Sequence, residues 1–174
     1  MLKISVPAIE LYDDARNEFV DVKGQTLTLE HSLVSISKWE SKWKRPFFKD
    51  PPKTAEELQD YVRCMTLTQN VDPNVYRAIP GDVYTQITDY MNDSMTATWF
   101  SERNQRRNTR IITSELIYCW MFQLGIPMEC QKWHINRLMT LIRVCSEETR
   151  EPQKMSRKDM AALNNARRKA RRKR

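Results

Sequence analysis

Glycine is scarce in this chain: three residues in 174, Gly24, Gly81 and Gly125. That scarcity argues against loop-rich folds and against glycine-lined phosphate cradles, and neither GxGxxG nor GxxxxGK[ST] occurs. No CxxC pair is present. The four cysteines, Cys64, Cys119, Cys130 and Cys145, lie singly in apolar stretches, which fits reduced thiols in a cytosol-like compartment. Long hydrophobic runs are missing too. The longest, Leu116 to Phe122, covers about a third of a membrane span, and the opening residues carry no secretory pattern. A soluble intracellular protein without membrane contact is expected.

What is present suffices for a core. Hydrophobic residues make up 40% of the chain, with five tryptophans and six tyrosines, and a domain of this size needs no disulfide or metal staple. The charge is unevenly spread. Ten of the 29 basic residues, but one of the 22 acidic ones, fall between Lys154 and Arg174, leaving 19 basic and 21 acidic residues elsewhere. The net +7 therefore belongs to the end of the chain, and the sequence divides into a near-neutral body, residues 1–150, and a basic tail, residues 151–174.

The expected fold is mainly α, of α+β type: a helical domain with a small N-terminal antiparallel β element, a C-terminal αα-hairpin and the basic tail. Leu2, Ile4 and Val6 alternate with polar residues as in a half-buried strand. Phe19–Val22 and Thr26–Leu29 flank Lys23-Gly24-Gln25, which predicts a hairpin with Gly24 at positive φ. Two or three short strands are expected over residues 2–29. Leu29, Leu33, Ile36 and Trp43, with Trp39 beside them, then follow a helical period that stops at Pro46, and Phe47–Pro52 reads as a loop. Thr54 and Glu57 form a capping box ahead of the stripe Leu58, Tyr61, Val62 and Met65. Asp72 before Pro73 starts another helix, and Pro80–Asn92 carries Val83, Ile87, Tyr90 and Met91 on one side.

The αα-hairpin is read from Thr113 or Ser114 as cap and from the face Leu116, Ile117, Trp120, Met121 and Leu124. Gly125 is placed to end that helix in a left-handed residue, and Pro127 forbids continuation. A partner helix is expected from about Met128 to Cys145, burying Ile135, Leu138, Leu141, Ile142 and Cys145. Ser156 and Asp159 have the spacing of a cap for a last helix, whose charge would oppose its own formation.

Signals for chemistry are thin. On a single helix Cys130 and His134 would share a face, with Cys119 near them across the turn. Four zinc ligands cannot be assembled from them, so a buried thiol beside a hydrogen-bonded histidine is the ordinary explanation. No catalytic residue, metal site or cofactor is assigned. Two basic segments remain: residues 101–110, read as a loop, and the tail. Arg167, Arg168, Lys169, Arg171, Arg172, Lys173 and Arg174 are the candidate contacts to nucleic acid or another polyanion, through salt-sensitive phosphate binding without base stacking. The ordinary alternative is a solvated arm.

Several long strings point further: Leu29-Glu30-His31-Ser32-Leu33-Val34-Ser35-Ile36-Ser37-Lys38-Trp39-Glu40-Ser41-Lys42-Trp43, Cys64–Asn70, Met95–Phe100, Glu129–His134 and Leu141–Cys145. Together they resemble a family of small proteins encoded in the tail module of tailed bacteriophages, commonly labelled tail assembly chaperones, over roughly residues 27–165. The resemblance implies a non-enzymatic helper in the host cell cytoplasm that keeps the tape-measure protein, or another tail protein, soluble until tube subunits polymerise around it. It carries no catalytic or ligand residues. The end Arg167–Arg174 departs from the milder, glycine-ended tails of that family, which keeps open a structural virion protein of the tail or head–tail connector, or a DNA-binding one. Nine methionines and the tryptophans would suit an adaptable groove; filling the core is their plainer use.

Overall fold

In a computed structural model of the chain, residues 1–13, 17–100 and 110–149 are described. They form an α+β fold: strands β1 (Leu2–Val6), β2 (Ile9–Asp13), β3 (Glu18–Val22) and β4 (Gln25–Leu29), then helices α1 (Leu33–Trp43), α2 (Ala55–Met65), α3 (Pro73–Arg77), α4 (Gly81–Asn92), α5 (Ser114–Gln123) and α6 (Ile135–Glu148). The chain divides into two compact units, residues 1–143 and 144–174. Of the second unit, only residues as far as Thr149 are described, and the tail expected at 151–174 lies outside them. No helix among the described residues is long and apolar enough to cross a membrane.

The β element differs from the expected hairpin. β3 and β4 do not pair with each other; β1 pairs antiparallel with β4 and β2 with β3. Val6 stands opposite Gln25 and Ile9 opposite Val22, so the register runs without a slip past Pro7 and Ala8 on one side and Lys23 and Gly24 on the other. The four strands are thus one two-stranded ribbon interrupted in its middle, where Pro7 has no N–H to give a ladder. Gly24 does not take a positive φ. Its role is close approach: a Cβ there would lie 3.0 Å from the Ala8 nitrogen and 3.2 Å from the Val6 carbonyl oxygen. The inner faces carry Ile4, Val6, Val22, Leu27 and Leu29, all buried. Leu29 therefore belongs to β4 and not to the helical stripe that follows.

Local signals set most helix starts. Ser32 caps α1 with Ser35 in a reciprocal box, Thr54 and Glu57 do the same for α2, Asp72 caps α3 ahead of Pro73, and Thr113 caps α5. α5 ends as expected. Gly125 has φ +64°, the Ile126 N–H donates to the Met121 carbonyl at 2.9 Å, and the Gly125 N–H donates to that of Phe122 at 3.3 Å. This paired termination buries Met121 and Ile126 together. Nothing lies within 4 Å of a Cβ built on Gly125, so only its backbone conformation matters. Gly125→Ala is expected to cost about 1–2 kcal/mol in urea unfolding; an unchanged midpoint would count against this account of the helix end.

The expected αα-hairpin is corrected. Residues Met128–Lys132 form a separate 3₁₀ turn, Trp133 is extended, and α6 begins only at Ile135. The interruption has a tertiary cause. His134 bridges Ser32, and the Ile135 N–H, which would otherwise serve a continuous helix, donates to the His31 carbonyl at 2.7 Å. α1 takes the centre of the core, packing against α2, α5 and the 3₁₀ turn. Leu33, Ile36, Trp39, Tyr61, Met65, Ile87, Ile117, Met121, Ile135 and Leu138 are fully enclosed, whereas Leu141 and Cys145 are only half-buried.

Candidate functional site

Glu40 occupies the position one turn after Ile36 on the buried face of α1, where an apolar residue would continue the stripe. It is 8% exposed. A carboxylate so placed must be satisfied by hydrogen bonds. One oxygen accepts the Phe47 N–H at 2.8 Å, from the chain that follows α1. The other accepts the Ser114 N–H at 2.8 Å, at the first residue of α5. Ser114 supplies one of the amides a helix start leaves free, and the helix dipole favours an anion there. A single side chain thus fastens the Pro46–Asp50 loop and the entry to α5.

Between those two segments lies a cleft of about 370 Å³ lined by Phe48, Lys49, Arg110, Ile111 and Ile112. Phe48 is 39% exposed and Ile111 48%. The loop wall is braced from behind. Lys44 turns the chain out of α1 at φ 54°, and the Arg45 guanidinium then lies over Trp39 and Trp43, 5.4 and 5.7 Å from the ring centres. Arg45 also pairs with Asp50 at 3.3 Å and Glu57 at 2.8 Å, and Lys53 reaches Asp50 at 2.5 Å. The hydrogen bond from Lys53 leads the effects that hold the Asp50 carboxyl below its usual range. For Glu57 it is the backbone N–H of Lys53 that does so first. The cleft is therefore apolar at its walls and basic at its edge.

Comparisons with family models, with curated proteins and with solved structures return no match for this chain.

A second recess, about 400 Å³, is lined by Ala55, Leu58, Gln59, Tyr76, Arg77 and Tyr84. It adjoins a smaller one where acids and bases are mixed: Lys42 is paired with Asp60 at 2.6 Å, and Arg63 covers the Tyr76 ring. That surface has no charge preference comparable to the Phe48–Ile111 cleft.

The chain has two histidines, and the fold brings them together in its interior. The rings of His31 and His134 meet edge to face at 5.1 Å between centres. His31 Nδ1 is 2.5 Å from the Tyr61 hydroxyl. His134 Nε2 lies 3.0 Å from the Tyr90 carbonyl, which can only accept, so that nitrogen carries the proton; Nδ1 then accepts the Asn136 N–H at 3.3 Å. Tyr90 in turn donates to Glu30 at 2.6 Å. Burial, reinforced by His134, pushes His31 down to about 3. Burial also lowers His134. Both are neutral rings used as internal hydrogen-bonding pieces.

Cys130 and His134, expected on one helix face, are placed otherwise. Cys130 is buried in the 3₁₀ turn, His134 lies beyond it at the bridge to Ser32, and Cys119 is exposed on α5. Among the described residues no group of three His, Cys, Asp or Glu side chains could hold a metal ion. Of the basic segment 101–110 only Arg110 is described, and Arg167, Arg168, Lys169, Arg171, Arg172, Lys173 and Arg174 lie outside the described residues. The cleft itself escaped sequence reading: Phe48 and Arg110 were each legible only as loop. The signal available was Glu40, an acid inside an apolar stripe.

Proposed function

We propose that this chain is a non-enzymatic binding protein, an assembly chaperone of a bacteriophage tail module that keeps the tape-measure protein soluble in the host cytoplasm. The observation that carries the reading is the Phe48–Ile111 cleft, an apolar surface that is part-exposed among the described residues, between two firmly held walls. The resemblance of its long strings to the phage family directs the reading to a tail partner. Of the tryptophans and methionines, Trp39, Met65 and Met121 are core, while Trp99 and Met128 are exposed away from the lining of the cleft.

Co-expression tests the proposal. The tape-measure protein of the same tail module should remain soluble with this chain and precipitate without it. Mass spectrometry of purified virions should find the chain missing. Stoichiometric presence in the particle would favour the second reading, a structural protein of the tail or connector, for which the tail with Arg167–Arg174 offers a contact to DNA.

A further inference from the structure

We infer that the outer face of the β2–β3 ribbon is a docking surface for a basic segment of a protein partner, one presenting arginine or lysine side chains. This surface stands apart from the cleft and does not rest on the chaperone reading. Successive residues of a strand point to opposite faces, and residues paired across strands share one. Ile9 and Val22, with Leu11 and Val20, therefore make one face of the ribbon, buried or half-buried. Glu10 and Asp21, with Tyr12 and Phe19, make the other. There Tyr12 is 44% exposed and Phe19 72%, and their rings meet at 61° with 5.2 Å between centres. The Tyr12 hydroxyl donates to the Asn17 side chain, which steadies its ring. A cross-strand aromatic pair stabilises a ribbon by itself, but the neighbouring pair opposes it, because like charges directly opposite each other are destabilising. Both acidic side chains are exposed, and no cation or hydrogen-bond donor among the described residues engages either carboxylate. Charge complementarity selects the occupant. Aromatic faces attract cations, arginine most often, and a carboxylate stands about 7 Å along each strand from a ring. An extended segment with basic side chains two residues apart matches that spacing. Phosphates are repelled, which disfavours nucleic acid. Two carboxylates are too few for a metal ion, and no group of three potential ligands exists among the described residues.

The experiment uses the full chain and a labelled synthetic peptide of alternating arginine and threonine, at physiological salt. The variants are Phe19→Val, Asp21→Lys and the double change Glu10→Lys with Asp21→Lys, each checked by urea unfolding. A control double change, Asp89→Lys with Glu129→Lys, alters the net charge equally at exposed positions outside the ribbon. The basic tail repels the peptide, but it is identical in every variant, so differences between variants report the ribbon. The ribbon double variant should bind about tenfold or more weakly than the intact chain, and the control should lose far less. Phe19→Val should weaken binding severalfold, since valine suits a strand but removes the ring. Asp21→Lys separates recognition from stability. It turns a cross-strand repulsion into an attraction, so the urea midpoint should rise while peptide affinity falls. A merely structural role for the pair would leave affinity unchanged there and overturn the inference. Equal affinities of the intact chain and the ribbon double variant would overturn it too, as would an equal loss in the control. Concentration-dependent self-association that vanishes in the ribbon double variant would give the surface to a second copy and overturn the assignment to another protein.

Discussion

Glu40→Ala is expected to destabilise the protein by roughly 2–6 kcal/mol, because it strands two backbone N–H groups, each costing about 1–3 kcal/mol when buried without an acceptor. Those amides, of Phe47 and Ser114, bond to opposite oxygens of one carboxylate. Glu40→Gln separates the two contributions. A glutamine keeps the volume and one acceptor oxygen but turns its NH₂ toward the other amide, so it should retain only part of the stability. Urea unfolding followed by tryptophan fluorescence reads both variants. If Glu40→Ala cost less than about 1 kcal/mol, the loop and α5 would be held by something other than this carboxylate. Binding at the cleft should fall in Glu40→Gln even though Glu40 does not line it, since the two walls would no longer be fixed to each other.

Acid should weaken the fold early, through the buried histidines. His31 has an ordinary value of 6.5 and is pushed down to about 3, first by burial and then by His134. His134 is lowered as well, first by burial. The unfolded chain therefore binds protons that the folded chain refuses. This contribution is fully present above about pH 6.5 and is lost as pH falls from there toward about 3. Each pH unit within that window costs about 1.4 kcal/mol for a histidine kept neutral, so moving from pH 7 to pH 4.5 should remove about 2–3 kcal/mol on account of His31 alone. The groups facing the pair are Tyr61 from α2, Tyr90 from α4, Glu30 after β4 and the Met1 amino group, which lies 3.1 Å from Glu30. Two anions act on the pair: Glu30, already shared between Tyr90 and the amino terminus, and Asp93, which with Glu30 opposes the lowering of His134. Asp50 and Glu57, held below their usual range, lose their ion pairs only at lower pH. Unfolding midpoints measured from pH 7 to 4.5 check this; a flat profile above pH 5 would refute the neutral-pair account. His31→Gln should flatten the profile at some cost in stability at pH 7.

The sequence by itself determined whatever is completed within about one turn of the residue concerned. Ser32, Thr54, Asp72 and Thr113 each meet their amides two or three residues on. Gly125 closes α5 through bonds to the turn just before it. Ile36, Tyr61, Val62 and Ile117 are buried because helical periodicity places them on one face. Choices among distant partners were left to the tertiary structure. Alternation shows that residues near 19–29 are strands, but pairing energy does not distinguish a neighbour from β1 and β2 until the ribbon closes. The stretch from Met128 onward has a helical pattern throughout, and it breaks before Ile135 because the His31 carbonyl and Ser32 compete for its backbone. The cleft depends on the same kind of choice. Phe48 and Ile111 belong to separate loops in sequence, and they become one surface because a buried carboxylate on a third element needs two amides and finds one in each.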